Sequence, residues 1–170
     1  MKTYVVLLRG VNVGGKNLLP MRELKPLLEE SGFKNIKTYI QTGNIVLQAI
    51  KEEINKIGFI IENNFGFLPE IIVLECSEFE RITDQNPFKS AEGKSAHIYF
   101  CQKKPNLDLT KLESLIATSE NFSLNETTFY LSAPEGIGRS KLVAKLEQCL
   151  GTVATGRNLN TINKIKLMLE

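Results

Sequence analysis

Ile36-Lys37-Thr38-Tyr39-Ile40-Gln41-Thr42-Gly43-Asn44-Ile45-Val46-Leu47 sets the topology of this chain. Two strand-like runs, Ile36 to Ile40 and Ile45 to Leu47, flank Gln41-Thr42-Gly43-Asn44, a hairpin turn with a glycine available for positive φ. Upstream, Thr3 to Leu8 reads as a buried strand, and Met21, Leu24, Leu27 and Leu28 supply a helical stripe stopped by Gly32. Pro20 suits the first turn of that helix, whereas Pro26 is expected to kink it or delay its regular part. Downstream, Ile50, Ile54, Ile57, Ile61 and Phe65 recur at helical spacing, and Ile71 to Leu74 reads as a fourth strand. Ser77-x-x-Glu80 reads as a capping box opening a short helix.

The second half repeats the order. Ala96 to Cys101 is a strand, and Thr110-x-x-Glu113 is expected to cap a helix carrying Leu112, Leu115 and Ile116. Phe122 to Leu124 and Thr128 to Leu131 form a hairpin turned near Asn125-Glu126. Ser140 begins a helix closed by Gly151, Thr152 to Ala154 is a short strand, and Leu159 to Leu169 is a final helix. The first six elements of each half follow the ferredoxin-like split βαβ order. The expected class is therefore α+β: two ferredoxin-like βαββαβ halves in tandem, with antiparallel or mixed sheets, helices packed on one face and a C-terminal helix. The expected division is 1–84 and 95–170, joined by a linker at 85–94 rich in Asn, Pro, Ser and Gly, with packing as one compact domain left open. No residue-level repeat accompanies the repeated pattern.

Composition narrows the function classes. The chain has 170 residues, 42% hydrophobic and 24% charged, enough for a real core. Its net charge of +2 gives no global nucleic-acid footprint, so any basic site must be local. No apolar run approaches membrane-spanning length and no signal-peptide layout opens the chain, so no membrane partner is expected. Cys76, Cys101 and Cys149 are widely spaced and odd in number, which reads as thiols of a cytoplasmic protein rather than a disulfide framework. With no CxxC and one histidine, neither a metal site nor a cofactor is expected.

The candidate chemistry lies in the loops. The apolar run ending at Leu8 stops at Arg9, and the next eight residues, Gly10 to Asn17, hold three glycines, two asparagines and a lysine. Such a loop offers exposed N–H groups and positive charge to something anionic. In a split βαβ unit the loop leaving strand one and the hairpin joining strands two and three share one end of the sheet. That end brings Arg9, Asn12, Gly14, Gly15, Lys16 and Asn17 beside Gln41 and Asn44. In the second half, strands three and four exit the same way, into Pro134 to Lys141 and Thr155 to Asn160. This adds Arg139, Ser140, Lys141, Arg157 and Asn158 to the ligand-binding candidates, and the two clusters are expected to line one cleft. Dull readings compete throughout: asparagines satisfying their own loop, and Ser140 or Asn158 serving as helix caps. Gly10-x-x-x-x-Gly15-Lys16-Asn17 falls short of a P-loop, because Asn17 has no hydroxyl for Mg²⁺ and the helix starts too late. His97 reads as a hydrogen-bonded sheet histidine, and the carboxylates as solvated surface with no acid–base pair. No catalytic residue can be named.

The loop motifs also resemble a family. Leu7 to Asn17 followed by Pro20-Met21 is similar to the opening of a widespread bacterial family known only as a domain of unknown function. Thr38-Tyr39-Ile40-Gln41-Thr42-Gly43-Asn44 resembles its TYIQSGN element, and Asn86-Pro87-Phe88 its NPF. Gly136 to Leu142 resembles its GVGRSKL, and Thr155 to Thr161 its TARNWNT, from which Gly156 and Leu159 depart. At Leu159 the pattern has a bulky aromatic, which could stack on a ligand base. The resemblance implies two ferredoxin-like halves and no established activity. Three functions stay open, and the first leads: a binding module for a phosphate-bearing ligand such as a nucleotide or nucleic acid. The others are an enzyme on a small phosphorylated or carboxylated substrate, with Lys16 or His97 carrying the proton, and a structural or protein-interaction domain.

Overall fold

A computed structural model describes residues 1–170. In chain order the elements are β1 (Lys2–Arg9), α1 (Met21–Glu30), β2 (Lys34–Tyr39), β3 (Asn44–Ala49), a 3₁₀ turn (Lys51–Glu53), α2 (Lys56–Phe65), β4 (Glu70–Glu75) and α3 (Cys76–Asp84). They continue as β5 (Ala96–Cys101), α4 (Leu109–Leu115), β6 (Asn121–Asn125), β7 (Thr128–Ser132), α5 (Lys141–Ala144), α6 (Leu146–Leu150), β8 (Ala154–Asn158) and α7 (Leu159–Leu169). The chain divides into two compact units, Met1–Arg81 with Lys164–Glu170, and Ile82–Asn163.

Each unit holds a four-stranded antiparallel sheet, ordered β2-β3-β1-β4 in the first and β6-β7-β5-β8 in the second. This is the ferredoxin-like βαββαβ arrangement twice over, with an added C-terminal helix. In the first unit Tyr4, Val6 and Leu8 of β1 pack with Leu24 and Leu28 of α1 and Ile57 and Ile61 of α2. Val5 and Leu7 alternate to the other face and are also fully buried, which is why β1 reads as an unbroken apolar run. In the second unit Tyr99 and Cys101 of β5, with Phe129 and Leu131 of β7, pack against Leu112, Leu142 and Leu146.

Four local expectations are corrected. The helix after β4 begins at Cys76, directly on the last paired residue of the strand, so Ser77 lies inside α3 and is not its cap. Asp108, not Thr110, caps α4, accepting from the Lys111 N–H at 3.1 Å. The helix after Ser140 breaks at Lys145, whose φ is −123°, into α5 and α6. The last strand is Ala154–Asn158, because pairing with β5 runs from Cys101↔Ala154 to His97↔Asn158. Ladder hydrogen bonds there override a Thr-Gly-Arg-Asn composition that reads as loop. Pro26 sits within α1, which begins at Met21 without delay.

Candidate functional site

In the first unit the two polar loops at the end of β1 and β2 are fastened together. The Leu8 N–H donates to the Gly43 carbonyl at 2.9 Å. Gly43 has φ +89°, and a Cβ there would lie 2.7 Å from Leu8 Cβ, so only glycine closes this turn without displacement. Buried Asn44 pins the same turn, its amide donating to the Tyr39 carbonyl and Thr42 Oγ1.

Asn12 joins the loop to the hairpin. Its Nδ2 donates to the carbonyls of Gln41 at 2.7 Å and Leu19 at 2.9 Å, and its Oδ1 accepts from the Leu19 N–H at 2.8 Å. Asn12 and Asn17 take φ +54° and +52°, conformations that asparagine tolerates better than most residues. The Asn12 N–H reaches the Asn17 carbonyl, and Asn17 Nδ2 reaches the Gly10 carbonyl. At the tip, Val13-Gly14-Gly15-Lys16 closes a turn with the Lys16 N–H on the Val13 carbonyl at 3.0 Å and both glycines at positive φ, as a type I′ turn requires.

The asparagine side chains of this loop thus hold the loop itself together. The N–H groups of Gly14 and Gly15 have no protein partner, and the side chain of Lys16 is exposed beside them. Arg9, half-buried at the strand end, stands across the sheet from Glu70. The two loop segments at this end, residues 9–22 and 39–44, contain Arg9, Lys16 and Arg22 and no Asp or Glu, while Glu70 pairs with Arg9 and Glu23 borders a hollow with Gln41.

In the second unit the ends of β7 and β8 lie together, since Ser132 pairs with Ala96 and Asn158 with His97. Ser140 caps α5 through the Val143 N–H at 3.1 Å. Its hydroxyl also donates to Glu120 Oε2 at 2.6 Å, a short charge-assisted bond. The other Glu120 oxygen accepts from the Ala117 N–H at 2.8 Å, and the residue is buried. Glu120 borders a hollow of about 360 Å³ together with Ala117, Ser119, Glu135, Gly136, Arg139 and Ser140. Lys141 is exposed one residue beyond.

Arg157 is not in this hollow. It lies within β8 opposite Ile98, so it faces the side of the sheet away from Tyr99 and Gly156. It is buried and donates to the Gly156 carbonyl at 2.9 Å. Burial lowers its pKa to about 10, which still leaves it charged at neutral pH. Asn158 caps α7 through the Thr161 N–H at 2.9 Å. Leu159 is buried at the start of α7 and serves as core.

Sequence reading missed Glu120 and Tyr99, while His97, read as a hydrogen-bonded sheet histidine, lies in β5 with no partner at Nδ1. His97 and Tyr99 share a face of β5 with rings stacked 6.2 Å apart, and both are buried with His97 Nδ1 and the Tyr99 hydroxyl unpartnered. Burial lowers the pKa of His97, keeping it neutral at pH 7. Burial first, and then the charge of Glu120, raise Tyr99 to about 12. No pattern in the sequence separates Glu120 from the exposed glutamates, because its burial depends on a helix cap 20 residues away. No group of His, Cys, Asp and Glu side chains gathers as metal ligands would.

Comparison with known proteins gives a family and a fold. A conserved bacterial protein, SP0830 from Streptococcus pneumoniae, superposes with a TM-score of 0.73 at 25% identity, over 99% of each chain. No functionally curated protein matches. A family model described as a protein of unknown function matches residues 1–130, so this chain belongs to the DUF1697 family.

Proposed function

We propose that the loop end of the first unit binds a phosphate-bearing ligand, a nucleotide or a nucleic-acid backbone, in the cytoplasm. One observation carries the reading: a turn fixed by internal hydrogen bonds presents the Gly14 and Gly15 N–H groups and Lys16 from a loop with no Asp or Glu between Arg9 and Arg22. Backbone amides and a lysine are the usual means of holding a phosphate. The asparagines already bond within the loop, so ordering the turn adds little entropy cost on binding. Lys16 stands exposed on the turn, which suits contact with a ligand better than proton transfer in a closed site. The three free thiols fit a reducing compartment.

Amide chemical shifts of the full chain, followed during addition of tripolyphosphate, ADP and a short single-stranded RNA, test this. Gly14, Gly15 and Lys16 should move first. Apparent affinity should fall as salt rises, with a slope set by the number of phosphates engaged. Lys16→Ala should weaken binding without altering stability. The absence of shifts in this turn at low salt, for all three ligands, refutes the reading.

A further inference from the structure

The hollow of the second unit carries a charge pattern unsuited to phosphate. Its lining has one cation and two carboxyl groups, Arg139, Glu120 and Glu135. Arg139 has no partner within the protein. Glu135 receives only the Ser119 hydroxyl, at 3.2 Å. Glu120 is held in place by the Ala117 N–H and the Ser140 hydroxyl, one on each oxygen, which leaves further lone pairs for a guest.

We propose that this hollow binds a small zwitterion of the free amino-acid class, its carboxylate held by Arg139 and its ammonium group by Glu135 and Glu120. A phosphate would meet two carboxylates and a simple cation would meet the arginine, so each is disfavoured by like charge. A neutral sugar offers hydroxyls to the exposed Arg139 and Glu135 but no opposite charge, so its contacts are weaker than charge-to-charge ones. A ligand with both charges satisfies all three residues at once, and the planar guanidinium fork matches a carboxylate in two-point contact. The volume falls at the small end of ligand sites, about 300–1,000 Å³, which suits one free amino acid rather than a peptide.

Calorimetric titration of the full chain with the common free amino acids is the test, with acetate, methylammonium and inorganic phosphate at matched ionic strength as controls. The expected result is saturable binding of at least one amino acid and of none of the three controls. Arg139→Gln and Glu135→Gln should each weaken that binding about tenfold or more, the loss of one charge-assisted contact, without changing the melting temperature. Binding of phosphate in this hollow, unchanged affinity in Arg139→Gln, or failure of every amino acid to saturate overturns the proposal. Because these residues lie in the second unit and Lys16 in the first, loss of either site leaves the other readable.

Discussion

Gly156→Ala should destabilise the protein, and the reason lies in a single ring. An added Cβ would stand 2.5 Å from Tyr99 Cε1, 2.8 Å from Cδ1 and 3.3 Å from Cζ. Carbon atoms in contact prefer about 3.5–4.0 Å, so the strand and the ring must part by roughly 1 Å. Tyr99 has nowhere to go: its ring is stacked on His97 and meets Phe129 edge-on at 6.2 Å. The strand must move instead, and Gly156 is paired directly with Tyr99, so its displacement strains the β5–β8 ladder. Overpacking of this size costs about 1–3 kcal/mol. Gly156 is outside the left-handed region, so alanine also recovers about 0.4–1 kcal/mol by restricting the unfolded chain. The net loss is about 1–2 kcal/mol, or a fall of about 2–8 °C in melting temperature for a chain of this size. Urea denaturation followed by circular dichroism measures it. The same substitution in a Tyr99→Leu background should be neutral or slightly stabilising, since the obstructing ring is gone. Equal destabilisation in both backgrounds would refute the steric account.

Asn12→Ala removes four side-chain hydrogen bonds, the longest at 3.4 Å to Gln41 Oε1, and places alanine at φ +54°. Counting the three shorter bonds at about 0.5–1.5 kcal/mol each plus about 1 kcal/mol of backbone strain, it should cost about 2.5–5.5 kcal/mol, and amide exchange at Leu19 should quicken. Asn12→Gly keeps the backbone and should cost less; a loss under about 0.5 kcal/mol for the alanine variant contradicts the fastening role. His97 has its pKa lowered from 6.5 by burial, so the unfolded chain takes up a proton before the folded one does. Its contribution to stability is complete above pH 6.5 and is lost as pH falls through the lower folded value. Between about pH 7 and about pH 5 the melting temperature should therefore fall less in His97→Asn than in the parent; equal slopes would show that His97 is not held neutral.

The fold was legible because its periodicities are long and unambiguous. Thr3 to Leu8, Ile71 to Leu74 and Ala96 to Cys101 all lie within strands of the structure, and Gly43 has the positive φ that the hairpin needed. Where the reading failed, tertiary pairing outweighed local composition. Thr155-Gly156-Arg157-Asn158 looks like a polar loop, yet it is a strand because β5 supplies a ladder partner for each residue. Glycine serves there because Tyr99 occupies the space of a side chain, a constraint set 57 positions away that no local window contains. The convergence of Asn12 on Gln41 followed from topology alone. That the convergence would consume the asparagine donors did not, because composition does not say whether a donor faces a ligand or its own backbone.

That distinction gives the loop its physical logic. A connection that turns back on itself leaves backbone groups outside any ladder, and these must find partners. Asn12 and Asn17 meet that demand from within, each at a backbone angle that most side chains resist. Satisfying the interior of the loop in this way fixes the outward direction of Gly14, Gly15 and Lys16 without using their donors. The two residue classes should then separate experimentally. Asn12→Ala should lower stability, and any loss of phosphate affinity should follow from disorder of the turn. Lys16→Ala should lower phosphate affinity and leave the denaturation midpoint where it was. If the two variants instead lose stability and affinity in the same proportion, the turn is a structural fastening throughout, and the exposed lysine is an ordinary solvated charge.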